Sequence, residues 1–203
     1  MKIPSETQCY RIMAEMAMLD NIVAHSIRVC QVATLLTDSL NTNGHNLDCE
    51  LIRVAALLHD ITKTRSIKTS ENHARTGADY LRERGFPEVG DIVGQHVNLA
   101  DFHSERDPTP AEVVNYADKR VLHDKVVSLE ERMDYIMERY SGSGKLGNRL
   151  EQMRREVVEI ENKLFRTISF PAAELTDHLN PDDFINKMAM FQKVNQGQLN
   201  AAT

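Results

Sequence analysis

The chain has no tryptophan, and aromatic residues make up only 5% of its 203 residues. Its apolar content is carried mainly by Ala, Val, Leu, Ile and Met. These residues suit helix packing better than a β-sandwich, whose strands are enriched in aromatic side chains. Strand-like alternation is scarce, whereas helical periodicity recurs along the chain. The sequence therefore predicts an all-α protein.

Cysteine is also rare. Cys9, Cys30 and Cys49 are widely separated and form no C-x-x-C pair, which argues against a zinc knuckle and a disulfide framework. Cys30 and Cys49 are expected to be buried free thiols. There is no cationic segment followed by an apolar one, and no apolar run long enough to cross a bilayer. We therefore expect a soluble, cytoplasmic protein without a membrane partner.

The chain lacks an excess of basic residues, and its formal net charge is −6. Because binding to a phosphate backbone needs a basic surface, no nucleic acid polymer is expected as a partner. A small phosphorylated ligand needs only a few local cations, so the charge does not exclude one.

Helical periodicity and start and stop signals divide the chain. They predict helices over residues 6–19, 21–40, 49–59, 72–84, 87–97, 109–121 and 146–165, with a charged segment at 129–139 and an amphipathic stretch at 182–194. Thr109, Pro110 and Glu112 form a capping box with proline at the first helical position, whereas residues 61–70 are predicted to form a polar loop. The Gly/Ser-rich stretch 141–144 suggests three parts: an N-terminal helix (1–20), a core (21–140) and a C-terminal helical extension (141–203).

Six polar residues fall on apolar helix faces or end an apolar helix. They are His25, His59, Asp60, His73, His96 and Asp118. A single inward histidine is more often a core residue bonded to a carbonyl, but an unpaired buried carboxylate is costly. No Lys or Arg shares the inward stripe of His25 or Asp118. A divalent cation that takes imidazole nitrogens and carboxylate oxygens is therefore the economical solution.

His59 and Asp60 are adjacent at the end of the most apolar helix. Consecutive residues of a helix diverge by about 100°, so one site can take both side chains only where the backbone leaves the helix, as expected at Ile61-Thr62. The carboxylate could then bridge two metals while the imidazole holds one.

In order and local context, this set resembles the HD-domain superfamily of metal-dependent phosphohydrolases, in its HDIG-type branch, over about residues 21–125. The matching segments are NIVAHSIRV around His25, HDITK from His59 to Lys63, ENHARTGADYL with His73, DIVGQHVNL with His96 and VNYADKR with Asp118. Thr62 stands where the family's HDIGK has glycine. The resemblance implies a compact HD-domain helical bundle, here with additional C-terminal helices.

The resemblance also implies two metal ions. His25, His59, Asp60 and Asp118 would hold one, and Asp60, His73 and His96 the other. The His-rich, oxygen-containing ligand set favours iron or manganese and does not exclude zinc, cobalt or nickel. A metal-activated water would attack phosphorus, with Asp60 and Lys63 as catalytic residues.

The expected substrate is a phosphorylated small molecule, such as a nucleotide or a dinucleotide polyphosphate, because bacterial hydrolases of symmetrical dinucleoside polyphosphates are similar in layout. Lys63, Arg28, Lys119 and Arg120 are candidate substrate-binding residues. For the last three the alternative is a solvated charge or a surface ion pair.

Two other functions stay open: a nucleotide- or metal-sensing HD module without turnover, and a di-iron HD-type oxygenase. The helix at 146–165 carries an apolar stripe formed by Leu150, Met153, Val157, Ile160 and Leu164. This stripe predicts either an ordinary amphipathic helix or a seam for a homodimer.

Overall fold

The computed structural model describes residues 2–140 and 144–201. Its helices are α1 (Glu6–Glu15), α2 (Asp20–Thr42), α3 (Cys49–Leu58), α4 (Lys63–Thr69), α5 (His73–Glu83), α6 (Pro87–Val93), α7 (Pro110–Lys119), α8 (Leu129–Tyr140), α9 (Gly144–Leu164) and α10 (Pro181–Ala201). Strands β1 (Val121–Leu122) and β2 (Lys125–Val126) form an antiparallel hairpin, and a 3-10 helix spans Ala172–His178. The predicted all-α class is confirmed.

Several start and stop signals act as the sequence predicts. At the start of α7, Glu112 accepts a hydrogen bond from the Thr109 amide at 2.8 Å, and the Thr109 hydroxyl accepts one from the Glu112 amide, which completes the capping box. At the end of α5, Gly85 adopts a φ of 84°, a left-handed conformation that favours glycine.

The prediction of a loop over residues 61–70 is wrong, because α4 occupies most of that range. None of its seven residues is buried, so the segment carries no apolar periodicity from which a helix could be recognised. The sequence also fails to predict the hairpin and the 3-10 helix, because neither produces a periodic apolar pattern. Each strand has only two residues, and the 3-10 helix buries one side chain, Leu175.

Two helices end earlier than the periodicity indicates. α6 stops at Val93, so His96 lies in the turn that follows rather than on the helix. α1 stops at Glu15, and Ala17 in the turn after it has a φ of 47°.

Helices α2 and α3 form the centre of the fold. α2 packs against α3, α7 and α10, while α3 packs also against α6, and α5 packs against α6. α3 is central because it is apolar on most sides: seven of its ten residues are buried. The end of α3, the middle of α2 and the end of α7 are thereby brought to one place.

The C-terminal helices pack on this core, α9 against α7 and α8, and α10 against α1 and α2. Four of the five residues in the apolar stripe of α9 are buried inside the chain, namely Leu150, Val157, Ile160 and Leu164. The proposed break at 141–144 falls largely outside the described residues, so the three-part division stays a prediction.

Two further expectations concern thiols and membranes. Cys30 is buried as expected, but Cys49 is exposed because it begins α3 at the surface. Among the helices in the described part of the chain, none combines the length and apolarity that crossing a bilayer requires.

Candidate metal centre

The fold brings the six predicted ligands together, and we call them the His/Asp cluster: His25, His59, Asp60, His73, His96 and Asp118. They come from α2, from the turn after α3, from the first residue of α5, from the turn after α6 and from the end of α7. The chain leaves α3 at Leu58, as the adjacency of His59 and Asp60 requires.

One half of the cluster centres on Asp118. His25 Nε2 lies 3.0 Å and His59 Nε2 lies 3.7 Å from Asp118 Oδ1. His59 Nε2 also lies 3.5 Å from Asp60 Oδ2. Two ligands bound to one ion at about 2.1 Å lie roughly 3.0–3.4 Å apart. These donors lie within that range or slightly beyond it, so small movements of the side chains would let them share an ion.

The other half centres on the second oxygen of Asp60. His73 Nε2 lies 3.3 Å and His96 Nε2 lies 3.6 Å from Asp60 Oδ1, and the two nitrogens are 3.2 Å apart. Asp60 thus turns Oδ2 towards one half and Oδ1 towards the other, which is the arrangement that a bridging carboxylate needs.

Backbone carbonyls fix the tautomers of three of these histidines. Nδ1 lies 2.8 Å from the His123 carbonyl in His25, 2.7 Å from the Ala56 carbonyl in His59 and 2.7 Å from the Val93 carbonyl in His96. Because a carbonyl only accepts, each Nδ1 must carry a proton, so a neutral ring has its lone pair on Nε2. Without a metal, a proton on Nε2 of His25 or His59 would instead face the carboxylates. All three Nε2 atoms therefore enter the cluster as potential metal ligands, each oriented by a carbonyl as ligating histidines usually are.

His59 shows most directly whether the residues of the cluster fit a metal ion. Its side chain is fully buried, yet its Nε2 atom has no hydrogen-bond partner among the described residues. A buried polar atom without a partner is rare and costly. The residues present fit a divalent cation, because such an ion would satisfy this nitrogen and face both carboxylates.

The electrostatics of the cluster favour positive charge between the carboxylates. Burial alone would lower the pKa of His59, but Asp60 and Asp118 raise that pKa above its ordinary value. Burial would raise the pKa of Asp60, but His59 and Lys63 hold it well below its ordinary value, and Lys119 and His25 do the same for Asp118. Both aspartates are therefore ionised at neutral pH.

The other half keeps its histidines neutral. Burial lowers the pKa of His73 to about 3, and burial also lowers the pKa of His96. Neutral imidazole is the form that binds a metal.

The inward stripes of His25 and Asp118 contain no Lys or Arg, but a basic residue outside those stripes nevertheless balances the charge of Asp118. Lys119 follows Asp118 directly, and its Nζ lies 2.9 Å from Asp118 Oδ2 and 2.9 Å from the His96 carbonyl. Buried charge alone therefore does not demand a metal here. The fixed histidine tautomers and the unpartnered His59 nitrogen carry the case instead.

Of the other predicted substrate-binding residues, the structure brings Lys63 to the cluster, with Nζ 3.5 Å from Asp60 Oδ1 and 3.3 Å from His73 Nε2. Arg28 instead lies with its guanidinium 4.0 Å from the centroid of the Phe184 ring and donates to the Asp124 carbonyl.

Arg120 is directed away from the cluster: it donates to the Val127 and Ala172 carbonyls and to the Tyr116 hydroxyl. Lys119 and Arg120 are both buried, so the alternative of solvated charges is wrong for these two residues.

Sequence reasoning missed three contributors. Thr62, at the position of the family's glycine, is buried and donates a hydrogen bond of 2.9 Å to the His73 carbonyl. His123 supplies the carbonyl that orients His25. Arg132 on α8 places Nη2 3.9 Å from Asp118 Oδ1. No apolar pattern marks these positions; the motif position of Thr62 was the only available signal.

Comparison with known families agrees with this geometry. The family described as the HD domain matches residues 22–121, a range that contains the whole His/Asp cluster. The chain therefore belongs to the HD-domain family, within the superfamily of metal-dependent phosphohydrolases.

The individual relatives share about 30% identity with this chain over the aligned segments. The chain is 29% identical over 125 residues to an uncharacterised protein of Methanocaldococcus jannaschii, covering 55% of this chain and 73% of that protein. It is 32% identical over 94 residues to ribonuclease Y of Pseudothermotoga lettingae, covering 46% of this chain but 16% of the relative.

It is also 29% identical over 146 residues to a tRNA (cytidine(56)-2'-O)-methyltransferase of Thermoplasma volcanium, covering 65% of this chain and 41% of that protein. The chain thus spans less than half of these last two relatives. No solved structure matches it significantly.

Proposed function

We propose that this protein is a phosphohydrolase that uses divalent metal to cleave a phosphorylated small molecule, with nucleotides and dinucleotide polyphosphates as the leading substrate class. The observation that carries the proposal is the convergence of three Nε2 atoms, on rings oriented by backbone carbonyls, on two buried carboxylates. Of these, the buried His59 nitrogen has no other partner in the described structure.

We assign the ligands as two sets that share Asp60. His25, His59, Asp60 and Asp118 form one set, and Asp60, His73 and His96 form the other. Divalent ions held there, with iron or manganese favoured, would supply Lewis acidity and lower the pKa of a water molecule. Two ions are favoured because each oxygen of Asp60 faces its own group of histidines.

The chain's own residues support this chemistry at defined atoms. Lys63 lies beside Asp60 Oδ1 with its side chain 35% exposed, so its ammonium can reach a phosphoryl oxygen of an incoming substrate. Thr62 fixes the backbone of His73 through its hydroxyl. Lys119 holds Asp118 Oδ2, which leaves Oδ1 directed at His25 and His59.

We infer the size of the substrate from the net charge of the chain. A net charge of −6 disfavours a long polyanion, whereas one or two local cations suffice for a small phosphorylated molecule. Four relatives, three ribonuclease Y proteins and the tRNA methyltransferase, bear names that refer to RNA, but each match spans less than half of the relative. A short oligoribonucleotide therefore belongs in the substrate panel as the competing outcome.

The test has two steps. The purified protein is first analysed for bound metal, and is then stripped with a chelator and reloaded with Mn²⁺ or Fe²⁺ under reducing conditions. Hydrolysis of a panel of nucleotides and dinucleotide polyphosphates, followed by chromatography of the nucleotide products, is expected only after reloading. Metal binding without hydrolysis of any phosphorylated compound would favour the sensing module, and oxygen-dependent turnover would favour the di-iron oxygenase.

A further inference from the structure

Arg132, in the second turn along α8, is a basic residue near the His/Asp cluster that the ligand assignment does not use. Its side chain is 15% exposed, and its Nε atom is buried without a hydrogen-bond partner in the described part of the chain. Its nearest anionic atom is Asp118 Oδ1, at 3.9 Å from Nη2. That separation is too long for a hydrogen bond, so the ion pair leaves the donor unused.

The neighbouring basic residues differ from Arg132 because they have hydrogen-bond acceptors within the fold. Lys119 is occupied by Asp118 Oδ2 and the His96 carbonyl, while Arg120 is occupied by two carbonyls and the Tyr116 hydroxyl. Arg28 donates to the Asp124 carbonyl and to Gln31. Each of these three residues therefore already donates hydrogen bonds within the fold.

The position of Arg132 relative to Asp118 shows which side of the His/Asp cluster its guanidinium faces. Asp118 Oδ2 is held by Lys119, and Oδ1 is the oxygen that faces His25 and His59. Arg132 approaches this same Oδ1. Its guanidinium therefore lies on the side of Asp118 where the reaction would occur, while Lys63 lies beside Asp60 in the other half.

We propose that Arg132 binds a phosphoryl oxygen of the substrate at the Asp118 side of the His/Asp cluster. The proposal rests on the proposed phosphohydrolase function. A guanidinium presents several N–H donors in a planar fork that matches phosphate in a bidentate manner. A phosphoryl group would supply the partner that the buried Nε lacks, in a place where leaving that donor unpaired is otherwise costly.

α8 provides a matched control. Arg139 lies on the same helix and beside the same aromatic ring: its Cζ is 6.0 Å from the centroid of Tyr135, against 5.8 Å for Arg132. Arg139 is exposed and donates to the Tyr135 hydroxyl at 2.8 Å. Replacing it by glutamine removes the same charge from the same helix without touching the cluster.

The experiment measures binding of inorganic phosphate by calorimetry to the metal-loaded protein, with metal content determined on each sample. Arg132→Gln is expected to weaken phosphate binding about tenfold or more while metal content and thermal stability stay at wild-type values. Arg132→Lys is expected to recover part of the loss, and Arg139→Gln to bind like wild type. In turnover of whichever substrate is found, Arg132→Gln should raise KM.

The result that would overturn the proposal is phosphate affinity in Arg132→Gln within twofold of wild type. Loss of metal in proportion to loss of phosphate binding would overturn it too, because Arg132 would then act only by positioning Asp118. Failure of wild type to bind phosphate would also count against it. If wild type binds phosphate through Arg132 but hydrolyses nothing, the phosphohydrolase proposal fails and this assignment stands.

Discussion

At the scale of single residues, His59 combines complete burial with a nitrogen that no described neighbour satisfies. Its Nδ1 proton is committed to the Ala56 carbonyl, which leaves Nε2 to face Asp60 and Asp118. Since this nitrogen faces both carboxylates of one ligand set, we expect metal affinity at that set to depend strongly on His59.

His59→Ala is expected to lower metal affinity by more than the roughly 10–100-fold typical of residues that only support a ligand. Metal content after dialysis against a weak chelator checks this. The control is His103→Ala, since His103 is exposed and pairs with Asp101 outside the cluster. Equal metal retention in the two variants would contradict the assignment of His59.

A pH dependence follows from His73 and His96 in the metal-free protein. Burial lowers the pKa of His73 from 6.5 to about 3, so below pH 6.5 the unfolded chain takes up a proton that the folded chain refuses. The free energy of unfolding is therefore unaffected by this group above about pH 6.5 and decreases as the pH falls from there towards 3. The lowered pKa of His96 acts in the same direction, while the raised pKa of His59 partly opposes it.

Urea unfolding of the chelated protein at pH 7 and pH 5 measures this effect. Wild type should lose stability between the two values, and His73→Gln should lose less, because the substituted side chain does not titrate. A variant that loses as much stability as wild type would show that His73 is not the group responsible.

At the scale of elements, the position of α7 depends on α9. Lys163 of α9 inserts between the two oxygens of Glu112, 2.8 Å from each, and also donates to the His103 carbonyl. Near the other end of α7, Glu161 contacts the Tyr116 hydroxyl and Arg120. Since α7 carries Asp118, the C-terminal part of the chain supports the candidate metal centre from a distance.

Lys163→Met should destabilise the protein by about 3–5 kcal/mol, because it leaves Glu112 charged and buried without its partner. The free energy of unfolding in urea measures the change. The double variant Glu112→Gln/Lys163→Met should recover part of it, since no uncompensated charge remains. Lys193→Met is the control, because Lys193 is exposed on α10. A cost within about 0.5 kcal/mol of the control's would contradict the argument.

Elements with a strong local signal could be predicted, and elements without one could not. α7 has a capping box, proline at its first position and an inward aspartate, and its start agrees with the prediction. α4 buries none of its residues, and the β1/β2 hairpin has two residues per strand, so neither leaves a periodic pattern. The residues of the His/Asp cluster could be singled out from the sequence because they sit on or beside apolar stripes in matching contexts, whereas Arg132 sits on a charged segment.

At the scale of the whole molecule, contacts that form only in the folded chain provide the details that local patterns miss. The carbonyl that orients His25 comes from His123, and the cation that balances Asp118 is its chain neighbour Lys119 rather than a residue of the inward stripe. A homodimer through the C-terminal helices stays a prediction, and most of the α9 stripe is buried within the chain.

We propose that one carboxylate, Asp60, joins two metal sites in a phosphohydrolase. The most direct measurement is the metal content of purified wild type and Asp60→Ala, taken together with phosphatase turnover on the same samples. Wild type is expected to hold about two ions per chain and to show metal-dependent turnover, and Asp60→Ala is expected to lose both. Full phosphatase activity and wild-type metal content in Asp60→Ala would contradict it.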